Sequence, residues 1–163
     1  MFGCVPALGY VLKASSEAGT SQSQGRSRQT MDTPRDVNDT GYYPYQVGID
    51  AYGKGGFRFA GMSHRGSLLC LPTGMHAWGV TVPAEITLES LDRVFAAADR
   101  IDVLLIGLGP DVLGFPRAIR DALRERQIIV EAIGTGGAVR TYNVLLAEER
   151  SVAAALLAVE SVR

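Results

Sequence analysis

Residues 103–133 read VLLIGLGPDVLGFPRAIRDALRERQIIVEAI, and this stretch decides the fold. Val103–Gly107 is an unbroken apolar run, the pattern of a strand buried on both faces. Phe115, Ile119, Ala122 and Leu123 then recur at helical spacing, with Pro116 at a favourable first position. Arg117, Arg120, Asp121, Arg124 and Glu125 form the outer face of that helix. Ile128–Ile133 reads as a second strand. Strand, helix and strand with a connection of ~20 residues imply a right-handed parallel crossover. Both strands end in glycine-rich loops, Gly107-Leu108-Gly109-Pro110-Asp111 and Gly134-Thr135-Gly136-Gly137.

Upstream of this unit the period is two. Tyr45–Tyr52 alternates as a half-buried strand, Gly53-Lys54-Gly55-Gly56 turns, and Phe57–Met62 alternates again with Phe57 and Phe59 inward. Ser63–Gly66 reads as a turn into the apolar strand Ser67–Leu71. Pro72-Thr73-Gly74 punctuates, and Met75–Val82 is a fourth strand carrying Trp78. After Pro83 the period becomes helical through Leu88, Leu91, Phe95 and Ala98, with Thr87 as N-cap. Alanine-rich Val152–Val159, preceded by Ser151, is expected to be a last helix packed on the sheet or on a second subunit. The expected class is therefore α/β with a mixed sheet: an antiparallel β-meander in the first half, a parallel βαβ unit in the second, and helices packed on the sheet.

The 163 residues suit one domain, expected over residues 41–163, that buries roughly 68–70% of its unfolded surface. Net charge of −1 offers no general attraction for nucleic acid or anionic lipid. No apolar run approaches the ~18 residues of a membrane-spanning helix, so a soluble protein is expected. Cys4 and Cys70 lie in segments of different character, which argues against a disulfide or a thiolate metal site; Cys70 is expected to be a buried, inert thiol. Residues 1–40 are polar and rich in Ser, Gln, Gly and Thr, and are expected to be a disordered or non-native extension. No basic residue precedes the short apolar patch Cys4–Leu12, which argues against a secretory signal peptide. A weak mitochondrial presequence, or translation that begins at Met31, would also account for this segment.

If the two strands are parallel, their glycine loops share one sheet edge, where open α/β sheets bind ligands. Gly107, Gly109, Thr135, Gly136, Gly137, Arg140, Thr141, Tyr142 and Asn143 are the candidate ligand or anion-binding residues. The Gly136 and Gly137 amides, a helix start and the Arg140 guanidinium could together hold an anion. The competing reading is that the glycines make turns, Arg140 caps a helix or pairs with Glu148 or Glu149, and Tyr142 and Asn143 satisfy buried backbone groups. Gly107-x-Gly109 continues as Pro-Asp-Val-Leu-Gly and departs from the dinucleotide fingerprint; no Gly-Lys-Ser/Thr or G-x-S-x-G sequence occurs. His64 and His76 have no third ligand in register for a metal. Glu85, Glu89, Asp92, Asp99 and Asp102 read as a solvated helix face. No catalytic set, metal or cofactor is expected, and the balance favours a protein that is not an enzyme.

The order Ile106-Gly107-x-Gly109, a helix ending near Gln127, and then Val130-Glu131-x-Ile133-x-Thr135-Gly136-x-Ala138-x-Arg140-Thr141-Tyr142-Asn143-Val144-Leu145 is specific enough for a comparison. It resembles the domain-of-unknown-function family that includes the third assembly factor of mitochondrial NADH dehydrogenase and many uncharacterised bacterial and archaeal members. The resemblance covers roughly Tyr42 to the C-terminus. It implies an α/β fold, no established activity, and in eukaryotes a protein-binding role in building the respiratory complex. The partners it implies are subunits or assembly proteins of that complex, and a homo-oligomer fits as well. Location would be cytoplasmic in a bacterium and mitochondrial in a eukaryote. Family members often have glycine where this chain has Glu149, which implies a longer helix or a tighter turn here.

Overall fold

A computed structural model describes residues 42–112 and 114–162, so the readings made for residues 1–40 lie outside the described residues. The first half contains β1 (Tyr42–Tyr43), β2 (Ala51–Gly53), β3 (Gly56–Phe59), β4 (Met62–Arg65), β5 (Ser67–Leu71) and β6 (Gly74–Trp78). Lys54-Gly55 joins β2 to β3 and Ala60-Gly61 joins β3 to β4. All four of these residues have positive φ (53°, 75°, 51° and 75°), as a two-residue hairpin turn of the primed type requires. Residues 63–66, expected as a turn, are therefore mostly strand, because the chain has already reversed at Ala60-Gly61. β2, β3 and β4 form a separate three-stranded antiparallel sheet. The strand expected from Tyr45 begins only at Ala51, since Ile49 N–H donates to Asn143 Oδ1 and the Ile49 carbonyl accepts from Asn143 Nδ2 (2.8 Å each).

The helix expected around Leu88–Ala98 is reduced to α1 (Asp92–Ala96), flanked by 3-10 turns at Glu89–Leu91 and Ala98–Arg100. Thr87 does cap this segment: Ser90 N–H donates to Thr87 Oγ1 (3.1 Å) and Thr87 N–H to Ser90 Oγ (2.9 Å). The second half runs β7 (Val103–Gly107), α2 (Arg117–Glu125), β8 (Ile129–Ile133), α3 (Thr135–Ala147) and β9 (Val152–Leu156). The larger sheet has the order β1-β6-β5-β9-β7-β8, in which β9 is antiparallel to β5 and parallel to β7, and β7 is parallel to β8. The mixed α/β class is as expected.

The main correction concerns residues 152–156, which form a central strand where a helix was expected. All five are fully buried; Ala153 and Ala155 enter one core while Val152, Ala154 and Leu156 enter the other. Alanine's helix preference amounts to tenths of a kcal/mol per residue, and two flanking ladders with complete burial override it. The first core packs α1 and α2 on one face of the sheet through Leu91, Val94, Ile119 and Leu123. The second packs α3 and the small sheet on the other face through Phe57, Phe59, Ala138 and Tyr142. The result is a three-layer domain with one sheet shared between two cores.

Helix α3 starts at Thr135, so Gly136, Gly137 and Arg140 all lie within its first two turns. It ends at Ala147, with Glu148 as cap and Glu149 left-handed at φ 60°. Glu149 N–H reaches the Leu146 carbonyl (2.9 Å) and Arg150 N–H the Leu145 carbonyl (3.0 Å), a Schellman ending. The helix is thus no longer than a glycine at position 149 would make it. Glu149 takes glycine's conformation, at a cost of roughly 1–2 kcal/mol for an L-residue.

Candidate functional site

The chain leaves β7, covers one face with α2, returns in β8, and crosses the other face with α3 before entering β9 on the far side of β7. β7 is therefore flanked by two parallel strands reached in opposite directions, and the three carboxyl ends lie at one edge. That arrangement is the switch point at which doubly wound sheets bind ligands. A niche of about 160 Å³ opens there, lined by Gly109 and Pro110 after β7, Gly134, Gly136, Gly137 and Arg140 after β8, Val159 and Ser161 after β9, and Tyr52. Tyr52, Val159 and Ser161 were not among the expected residues. The third wall was hidden because the Ala-rich strand β9 reads locally as helix.

The candidate residues divide by what their polar groups already hold. Thr135 is fully buried; its hydroxyl donates to the Leu157 carbonyl (2.8 Å) and accepts from Gly109 N–H (3.0 Å). Its own N–H goes to the Gly109 carbonyl (3.0 Å), so Thr135 stitches the ends of β7, β8 and β9 together. Gly107 lies directly beneath it: an added Cβ would stand 2.9 Å from Thr135 Cα and 3.1 Å from Leu156 Cδ2. Close approach is what requires glycine at this position. Gly109, with φ 93°, is a turn glycine.

Tyr142 is buried, and its hydroxyl donates to the Val47 carbonyl (2.8 Å). Together with the Asn143 bonds to Ile49, this fastens residues 47–49 to α3. Thr141 is exposed on the outer side of the helix. Gly136 and Gly137 sit in the first turn of α3, and the Tyr52 hydroxyl occupies the space a Gly136 side chain would need. Arg140 is exposed at the niche, and no carboxylate lies within 4.0 Å of it among the described residues. The structure thus brings Gly109, Gly136, Gly137 and Arg140 together in one concavity. Gly107, Thr135, Tyr142 and Asn143 serve in packing and backbone bonds.

Cys70 and Tyr142 meet inside the second core. Burial pushes the Cys70 thiol far up, opposed in part by its hydrogen bond with Tyr142. Burial likewise pushes the Tyr142 phenol up, with Cys70 adding to the effect. Both stay neutral near pH 7, so Cys70 is a small apolar filler and a poor nucleophile. On the opposite face His76 is 6% exposed and 2.9 Å from Thr73 Oγ1 through Nε2. Burial, then the charge of Arg93, pulls its pKa from 6.5 to about 4. No set of three or more His, Cys, Asp or Glu residues is arranged for a metal among the described residues. No helix among them is long and apolar enough to cross a membrane.

Residues 49–157 match the family described as protein of unknown function (DUF498/DUF598). The chain belongs to this family. It is 37% identical to an uncharacterised protein of Rhodobacter capsulatus over 124 residues, 76% of this chain and 91% of that one. It is 32% identical over 115 residues to NADH dehydrogenase [ubiquinone] 1 alpha subcomplex assembly factor 3 of Mus musculus, covering 71% of this chain and 62% of the mouse protein. Among solved structures, it is similar to an outer membrane protein from Bartonella henselae, with a TM-score of 0.70 and 52% identity over 72% of this chain and 99% of that one. It is also similar to a Mth938-like domain of Bordetella pertussis, with a TM-score of 0.61 and 27% identity over 72% of this chain and 89% of that one. The family resemblance read from the Thr135–Leu145 block is thereby shown. Much of that block serves the fold: Thr135, Ala138, Val139 and Tyr142 are buried.

Proposed function

We propose that this chain is a non-catalytic interaction protein that assists the assembly of a respiratory NADH dehydrogenase complex. Its 32% identity to the mouse assembly factor over 71% of the chain is the observation that carries this reading. The partners would be subunits of the complex or other assembly proteins, met in the cytoplasm of a bacterium or the mitochondrion of a eukaryote. Self-association fits the same reading. β8 is an edge strand, and Ile129 on it is 63% exposed, so one row of backbone groups faces outward. Deleting the gene in its source organism should deplete the assembled complex on native gels and accumulate subassemblies, with recovery on re-expression. A full complement of assembled complex in the deletion strain would overturn the proposal.

The niche at the switch point supports a second reading, in which the Gly136 and Gly137 amides and the Arg140 guanidinium hold a single small anion beside Gly109. Ligand at 100 times Kd stabilises a fold by about 2.7 kcal/mol, which is readable as a thermal shift. Inorganic phosphate should then raise the melting temperature of the parent chain, and Arg140→Ala should abolish the rise. An equal response in the two proteins would remove this reading.

A further inference from the structure

A second and larger cavity lies beside the niche and involves none of its glycines. It is a cleft of about 680 Å³ between the three-stranded sheet and residues 160–162, within the range of ~300–1,000 Å³ typical of small-molecule sites. Tyr52 and Ser161 form the partition between the two cavities, since both line each of them. The cleft is held open by backbone bonds. Lys54 N–H donates to the Glu160 carbonyl and Gly55 N–H to the Val159 carbonyl (2.9 Å each), which fixes the β2–β3 turn against the segment after β9. Gly56 can carry no side chain, because a Cβ there would run into the His64 carbonyl.

The charges around this cleft are unbalanced. Lys54, Arg58 and Arg65 line it against a single carboxylate, Glu160, in a chain whose net charge is −1. Among the described residues the ion pairs are Arg117–Asp121 and Arg124–Asp121, both on α2, so none of the three cleft cations has a carboxylate within 4.0 Å. Arg58 stands opposite Ser63 across the β3–β4 ladder, and Arg65 lies two residues beyond Ser63, so both arginines project from the same face of the sheet. Two guanidinium groups and an ammonium against one carboxylate, around a concavity of ligand size, match a compact group with several negative charges.

We infer that this cleft binds a small anion carrying two or more negative charges, through Lys54, Arg58 and Arg65. The inference is independent of the assembly reading and of the niche. The test is calorimetric and amide-shift titration of the full chain at near-physiological salt, with pyrophosphate and with citrate as probes. Saturable binding is expected for one or both, with shifts concentrated in residues 52–58, 63–65 and 160–162. A preference between the probes separates phosphoryl from carboxylate ligands. The Arg58→Gln/Arg65→Gln double variant should weaken binding about tenfold or more, the loss expected for charge-assisted hydrogen bonds. Both arginines are exposed, so this variant should melt as the parent does. Arg117→Gln should bind as the parent does. The proposal is overturned if neither probe saturates, if Arg117→Gln loses as much affinity as the double variant, or if the loss belongs to Arg140→Ala alone. Binding of hexaglutamate with neither small anion bound would overturn it in favour of an acidic peptide.

Discussion

Gly107→Val is expected to lower stability by about 3 kcal/mol, near the upper end of what overpacking a core costs. The new Cβ would meet Thr135 Cα at 2.9 Å, Thr135 Oγ1 at 3.0 Å and Leu156 Cδ2 at 3.1 Å. The neighbours cannot withdraw easily. Thr135 is held by its bonds to Leu157 and Gly109, and Leu157 N–H is bonded to the Gly107 carbonyl itself (2.9 Å). Strain at this point reaches the ends of three parallel strands and the first turn of α3 together. A domain of this size loses roughly 3 °C of melting temperature per kcal/mol, so calorimetry should find a drop near ~10 °C. Gly79→Ala is the control, since nothing lies within 4 Å of a Cβ there and its φ is not positive. If Gly107→Val melted no lower than that control, the close strand–helix contact would not be what demands glycine.

Acidification should expose His76. Its folded pKa of about 4 lies below the ordinary 6.5, so the unfolded chain takes up the proton first as pH falls. Above pH 6.5 the residue is neutral in both states and contributes no pH dependence. Between about 6.5 and 4 the unfolded state is favoured progressively, for a total of at most about 3 kcal/mol. The cause is desolvation by burial, reinforced by the Arg93 charge. Denaturant titrations at a series of pH values should show the parent losing this stability, while His76→Gln loses correspondingly less over the same window. Parallel curves would show that His76 does not report burial in this way. Glu85 is pulled the other way from a buried acid: its carboxylate accepts from Thr81 N–H (2.7 Å), Thr81 Oγ1 and Val82 N–H, which lowers its pKa. Its small contribution is likewise lost in acid and remains in His76→Gln.

The residues that could be read without a structure are those whose signal is local. Val103–Gly107 announced itself as a buried strand because it carries no polar residue for a solvent face, and Ile128–Ile133 as a second strand by its apolar run around Glu131, which the edge strand β8 leaves exposed. Lys54-Gly55 announced a hairpin because a primed turn needs left-handed residues. The competing reading of Tyr142 and Asn143, as partners of buried backbone, also needed only their polar groups and apolar surroundings. Gly136, Gly137 and Arg140 were placed at one sheet edge by the parallel crossover alone. The missing wall of that site followed β9, and no local pattern could supply it.

By itself, then, the sequence determined the α/β class, the parallel unit, the absence of a dinucleotide or phosphate-loop fingerprint and the family. Only the tertiary structure decided that Val152–Leu156 is a strand, that Gly107 is glycine to admit Thr135, and that three cations of the β2–β4 sheet face one cleft. The physical reason is the range of the interactions. Periodicity and turn chemistry act over a few residues and are written in the order of the chain. The choice of strand at Ala153–Ala155 depends on ladders to residues 68–70 and 103–107, and on how little space two packed faces leave for a side chain.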